Sequence, residues 1–283
     1  LGTLDGNGTQ ILAVSHAELA KNIKEIRLLF IYNSKNININ GVLLKDSARW
    51  NTHILKSESV SFRHCKLMNN PIENKYLGSL DGWDPDSSSD ILIESCFGWA
   101  GDDTVAIKCT GHGSPLGRVP NAEKITVRGN VFLTKKSGLK IGTETYCNFM
   151  QDIVFEDNDI IESDRVMGIN VRDGAIVQDV VFRNNHAELS FPDRKQNGMN
   201  FYITKRDRNI SKLGKIQKVI IENCSFDMAF PKKFAFFRHY PETLETDLSI
   251  IFKNLIVAGE KVQNFNSNFF DFSKNNSNLI FDN

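Results

Sequence analysis

Charge of one sign is missing from this chain: 34 Lys and Arg side chains are offset by 34 Asp and Glu, so the formal net charge is zero. No general field draws it to nucleic acid or to an anionic membrane, although a local basic strip survives such averaging. No apolar run reaches membrane-spanning length, and no basic start followed by an apolar stretch marks an export signal. The opening Leu1-Gly2-Thr3-Leu4-Asp5-Gly6-Asn7-Gly8 reads like the interior of a fold, and an upstream segment carrying any such signal is expected to precede it. Cysteine is sparse, with Cys65, Cys96, Cys109, Cys147 and Cys224 lacking C-x-x-C or Cys/His ligand spacing. That excludes a structural zinc site of the usual kind, and no metal or cofactor is expected. An odd cysteine count leaves at least one thiol unpaired, and Cys65, Cys96 and Cys224 read as small core residues in β-like runs. Asn-Gly and Asp-Gly hairpin turns between apolar runs are also few, which weighs against a sandwich or barrel.

What is present is one pattern that keeps returning: alternating apolar residues followed by a polar corner. It appears at Ile37/Ile39, Val60/Phe62, Ile91/Ile93, Ile125/Val127, Ile153/Phe155, Val180/Phe182, Val219/Ile221 and Ile250/Phe252. The corners read Asn40-Gly41, His64-Cys65, Ser95-Cys96, Gly129-Asn130, Asp157-Asn158, Asn184-Asn185, Asn223-Cys224 and Lys253-Asn254. Alternation of this kind marks strands with one buried face. The spacing varies from roughly 23 to 39 residues, within the range of solenoids but without the fixed consensus of leucine-rich or helical repeats. Constant strand chemistry with variable loops predicts an all-β parallel β-helix, one unit over residues 1–283, with no linker in it. One segment breaks the rhythm: Ser15-His16-Ala17-Glu18 reads as a capping box, with Leu19, Ile23 and Ile26 at helical spacing behind it.

The densest chemistry lies in Ser79-Leu80-Asp81-Gly82-Trp83-Asp84 and Gly101-Asp102-Asp103-Thr104-Val105-Ala106-Ile107-Lys108, with one strand motif between them. Equivalent positions on successive coils lie about 4.8 Å apart, so Asp81 should face Asp102 and Asp103 across one rung. Crowded carboxylates oppose each other's ionisation, so one should keep its proton towards neutral pH. Glycoside hydrolysis needs that division, a protonated acid beside an ionised base. Either motif alone reads equally as a solvent-exposed Asp-Gly or Asp-Asp turn; their one-coil separation is what favours a site.

These residues resemble the polygalacturonases of glycoside hydrolase family 28, which are right-handed parallel β-helices. The family's N-T-D-G strand followed by D and S is matched by Ser79-Leu80-Asp81-Gly82-Trp83-Asp84 and Ser87-Ser88, and its G-D-D then I-A-I-K by Gly101-Asp102-Asp103 and Val105-Ala106-Ile107-Lys108. Asp46-Ser47-Ala48-Arg49-Trp50-Asn51-Thr52-His53 resembles its S-P-x-W-x-x-H segment, and Leu4-Asp5-Gly6-Asn7-Gly8 its I-D-G-x-G opening. The resemblance is specific through residue 108, weaker to about residue 190, and nearly gone beyond. It implies an inverting hydrolysis of an acidic, pectin-like polysaccharide, outside the cell or in the periplasm. Carried over, Asp102 is the general acid, and Asp81 and Asp103 position and activate water; inversion expects carboxyl separations of about 6.5–9.5 Å.

Two family motifs depart. The G-H-G strand aligns with Lys136-Ser137-Gly138, replacing the histidine that tunes the aspartates, and R-I-K aligns with Asn170-Val171-Arg172, replacing the residues that hold the substrate carboxylate. Strand alternation suggests substitutes: with Val105/Ile107, Leu139/Ile141 and Ile169/Val171 inward, Lys108, Lys140, Asn170 and Arg172 point outward beside the aspartates. Such a strip could grip a sugar carboxylate or sulfate, or merely solvate an exposed sheet. Trp83 and Trp99 flank the trio and could stack on a sugar ring or pack in the core. His112 sits in a Gly/Pro-rich loop able to fold over the cleft, and Arg238-His239-Tyr240 could reach it from a later coil. The expected partner is a polysaccharide, with no nucleic acid, membrane or second subunit. The rivals are a calcium-dependent lyase, with Arg172 or Lys140 as base, a hydrolase of a neutral or sulfated galactan-type glycan, and a non-catalytic glycan-binding β-helix.

Overall fold

The computed structural model describes residues 2–15, 26–69, 79–111, 117–189, 196–207, 211–228, 235–239, 248–265, 270–272 and 279–282. The chain winds as a right-handed parallel β-helix of three sheets, with strands ordered so that every third strand pairs with the next coil's counterpart. The eight alternating motifs all fall on one sheet and in one register: Ile37, Val60, Ile91, Ile125, Ile153, Val180, Val219 and Ile250 stack rung upon rung. Their side chains face the lumen, where Phe62, Phe155, Phe182 and Phe252 are fully buried. Each such aromatic contributes on the order of 2–3 kcal/mol on burial. Phe155 and Phe182 stack with centroids 4.8 Å apart, about one rung spacing.

The polar corners work as paired residues. In six of the eight the first turns the chain with positive φ, at His64, Ser95, Gly129, Asp157, Asn184 and Asn223, and in the other two Gly41 and Asn254 do so from the second place. This explains the Asn, Asp and Gly found there, residues that tolerate the left-handed region. The second points inward and stacks: Asn130 Nδ2 donates to Asn158 Oδ1 at 2.8 Å and Asn158 Nδ2 to Asn185 Oδ1 at 2.9 Å. Cys65, Cys96 and Cys224 occupy equivalent buried positions, as the sequence led us to expect. Just before each corner, Arg63, Glu94, Arg128, Glu156, Arg183 and Glu222 form a column of alternating charge. Exposed pairs of this kind contribute little stability, but a one-rung slip would place like charges together.

The helix expected behind Ser15 falls on residues 16–25, outside the described residues. Ser15 itself closes a helix, Gly8–Ser15, instead of preceding one. The remaining pairing departs from parallel once among the described residues, where Leu255–Val257 meets Glu260–Val262.

Candidate active site

Asp81 and Asp103 each stand two residues before a strand, Trp83–Asp86 and Val105–Cys109 respectively. Val105 pairs with Trp83, which sets Asp81 across the rung from Asp103. Asp102 stands one residue back, level with Leu80, whose carbonyl accepts its backbone N–H at 3.3 Å. The approach of these two loops depends on Gly82: a Cβ there would lie 2.3 Å from the Thr104 carbonyl oxygen. Trp83 N–H donates to that same oxygen at 2.8 Å, so the oxygen cannot retreat cheaply. On the far side, Thr134 Oγ1 donates to the Asp102 carbonyl and pins the acid loop to the next coil.

The three carboxylates are not equivalent. Asp103 accepts the Ser137 N–H on Oδ1 at 2.9 Å and the Lys140 ammonium on Oδ2 at 2.5 Å. Burial works to raise its pKa, but Lys140, with Lys108 and Arg165 behind it, more than offsets this and holds it below the usual carboxylate range. Asp81 accepts the Lys108 ammonium at 2.5 Å; burial nevertheless leaves its pKa raised. Asp102 forms no ion pair among the described residues. Burial, then the charges of Asp81 and Asp103, push its carboxyl up to about 6. It is also the one of the three that is only half-buried, the others being 4% and 3% exposed. The carboxyl pushed up to about 6 is therefore one that solvent or a ligand can reach.

A layer beneath supports this division. Asp84, fully buried, lies 2.9 Å from the Lys108 ammonium. Burial first, and then the neighbouring charge of Asp81, raises its pKa well above the ordinary value. Lys108, by contrast, stays charged, because Asp81, Asp84 and Glu144 outweigh its burial. Its ammonium also lies 3.6 Å from the centroid of the Trp50 ring, a cation–π contact strengthened by desolvation. Asp86 is saturated: His53 Nε2 lies 3.0 Å from Oδ2, and Thr110 donates through both its N–H and its hydroxyl.

The structure thus brings together Asp81, Asp102, Asp103, Lys108 and Lys140. Val105, Ile107, Leu139, Ile141, Ile169 and Val171 point inward as alternation requires. Lys108 corrects one expectation: only 4% exposed, it is an internal counter-ion and offers nothing to a ligand outside. Trp83 corrects another, being fully buried against Phe62 and Phe132, whereas Trp99 is half-buried. Asn170 is 5% exposed and donates to the Asn200 carbonyl at 3.0 Å. Arg172 is half-buried, and its Nε has no hydrogen-bond partner among the described residues. His112 and Tyr240 lie outside the described residues, as do the side chains of Arg238 and His239. Sequence reading missed the buried Asp84 beside Lys108, and it missed Arg165, whose Nε donates to Ser137 Oγ at 3.0 Å.

One oxygen from each of Asp81, Asp102 and Asp103 lies within 4.8 Å of the others, a spacing that could in principle surround a cation. Two of the three carboxylates already hold lysine ammoniums at 2.5 Å, so a dication would have to displace both.

Residues 1–189 match the family model of the glycosyl hydrolases family 28. The chain belongs to that family. Among curated family 28 relatives, a probable polygalacturonase of Vitis vinifera is 27% identical over 175 residues, covering 61% of this chain and 34% of the relative. An exopolygalacturonase of Cochliobolus carbonum is 28% identical over 144 residues, covering 50% of this chain and 29% of the relative. The chain therefore spans about a third of the length of these relatives. Among solved structures, the polygalacturonase of Erwinia carotovora ssp. carotovora superposes with a TM-score of 0.73 at 18% identity, covering 98% of this chain and 69% of that one. The exopolygalacturonase of Thermotoga maritima gives 0.65 at 21% identity, covering 89% and 61%. These likenesses show the β-helix fold, and the sequence match over residues 1–189 includes all three aspartates.

Proposed function

We propose that this family 28 chain hydrolyses a glycosidic bond in a pectic, galacturonan-type polysaccharide, with Asp102 as general acid and Asp81 and Asp103 as the carboxylates that hold and activate water. The carrying observation is the unequal compensation of the trio: Asp81 and Asp103 each bind a lysine ammonium, while Asp102 binds none among the described residues and is pushed up to about 6. Asp102 gives its proton to the glycosidic oxygen, which leaves with the electron pair of the broken bond. Water adds to the anomeric carbon and loses its proton to the Asp81–Asp103 pair. Relatives named as polygalacturonases support the galacturonan substrate, and such a substrate places the activity outside the cytoplasm. With Lys108 and Lys140 both held by aspartates, Arg172 is the residue of the predicted basic strip left to meet a sugar carboxylate.

The crowding of three carboxylates, one oxygen of each within 4.8 Å of the others, raises a second reading, a retaining displacement in which Asp81 or Asp103 attacks the sugar directly. Proton NMR of the first-formed anomer from polygalacturonate separates the two. The inverted anomer supports water attack, and the retained anomer overturns it. Release of reducing ends must fall in the Asp102→Asn variant by about 10²–10⁴-fold, the worth of a positioned general acid. Unsaturated, ultraviolet-absorbing products whose formation stops on adding a chelator would replace hydrolysis by elimination. No turnover of any glycan, with binding intact in Asp102→Asn, would leave a binding module.

A further inference from the structure

Asp103 is surrounded from every packed element by identifiable charges. Asp81 comes from the preceding coil, Asp102 from its own loop, Lys108 from its own strand, Lys140 from the next and Arg165 from the strand after that. Lys140 takes Oδ2. Oδ1 receives only a neutral donor, the Ser137 N–H, but Ser137 Oγ in turn accepts Arg165 Nε at 3.0 Å. Register explains the relay: Ser137 begins the strand above Asp103, and Arg165 pairs directly with Ser137. On its other side Arg165 pairs with Asn197, so both its rung neighbours are neutral. Its terminal Nη groups make no ion pair among the described residues. Arg206, for comparison, is taken up by Asp173 and Glu144. A guanidinium without a carboxylate partner keeps its field, and in a half-buried cleft that field is weakly screened.

We infer that Arg165, on the strand beyond Ser137, is a positioning residue that acts through Ser137 to keep Asp103 in its ionised, water-accepting form. Its part in turnover rests on the function proposed above; its effect on Asp103 does not. A small hydroxyl at residue 137 is what allows the arrangement. It presents the acceptor for Arg165 Nε while its own backbone N–H donates to Asp103.

The test is a carbon-13 carboxyl NMR titration of aspartate-labelled protein, the Asp103 resonance being identified by its loss in Asp103→Asn. Arg165→Gln should raise the Asp103 midpoint by about one pH unit, the effect of removing a nearby opposite charge. Arg165→Lys should move it less, and Ser137→Ala should give a rise between the two. An unmoved midpoint in natively folded Arg165→Gln overturns the inference. Should that variant fail to fold, Ser137→Ala decides alone, and no shift there overturns it. In turnover, the acid limb of kcat/KM should move up with the titration while KM holds. A raised KM with an unmoved limb would make Arg165 a substrate contact instead. Because the titration needs no substrate, a shifted midpoint without polygalacturonate hydrolysis refutes the proposed function and leaves this inference standing.

Discussion

Replacing Lys108 by methionine separates its charge from its packing. The methionine keeps an apolar stem beside Trp50 and removes the ammonium that lies 2.5 Å from Asp81 and 2.9 Å from Asp84. Breaking a buried pair from one side costs about 3–5 kcal/mol, because the remaining charge is left uncompensated. Here the penalty should depend on pH. Burial already raises the pKa of both Asp84 and Asp81 in the wild type, and without the ammonium Asp81 should keep its proton to higher pH still. The unfolded chain loses that proton near the ordinary Asp value of about 3.9, whereas the folded variant retains it to higher pH. A raised folded-state pKa for a carboxyl means that stability falls as pH rises above the unfolded value. One extra retained proton gives a slope of about 1.4 kcal/mol per pH unit, or about 4 kcal/mol between roughly pH 4 and 7. Urea unfolding followed by tryptophan fluorescence at several pH values measures this directly. The variant should approach the wild type near pH 4 and be several kcal/mol weaker at pH 7, and adding Asp81→Asn should recover most of the loss. An equal deficit at every pH would refute the reasoning and reduce Lys108 to a packing residue.

On the proposed mechanism, activity should decline as pH rises through about 6, where Asp102, the proposed general acid, loses its proton; a pH–rate profile with its alkaline limb above 8 would contradict this. Gly82→Ala should destabilise the chain by roughly 1–3 kcal/mol through contact with the Thr104 carbonyl, and should lower kcat more than KM by shifting Asp81; thermal unfolding and kinetics report the two effects. Asn158→Leu removes the donor to Val127 O at 3.0 Å and the link to Asn185. It should cost about 1–3 kcal/mol in urea unfolding while leaving the pH–rate profile in place.

The coil was legible because its signal is local. Ile125/Val127 with Gly129-Asn130 and Ile153/Phe155 with Asp157-Asn158 show both a buried face and a left-handed corner within a few residues. Stacking of Asp81 on Asp103 followed from counting one motif between them. Sequence alternation could say that Lys108 leaves the lumen but not where a long side chain ends. Trp83 went astray for a related reason: proximity to Asp81 in the chain suggested the cleft, while strand parity sends it to the lumen between Phe62 and Phe132. Arg165 was invisible because it acts across two coils, and variable loop lengths hide which residues share its column until register is known.

A parallel coil imposes a problem that the lysines solve. Repetition sets carboxylates about 4.8 Å apart whether or not chemistry needs them so, and three equal acids at that spacing would share protons without order. Order comes from what each one meets on the neighbouring rungs. Lys108 reaches Asp81, Lys140 reaches Asp103, and nothing of opposite charge is bound to Asp102 among the described residues. Moving either lysine should therefore do more than weaken one contact: it should redistribute the proton among all three. Lys140→Met should raise Asp103 towards Asp102 and blur the division between acid and base, even though neither aspartate is altered.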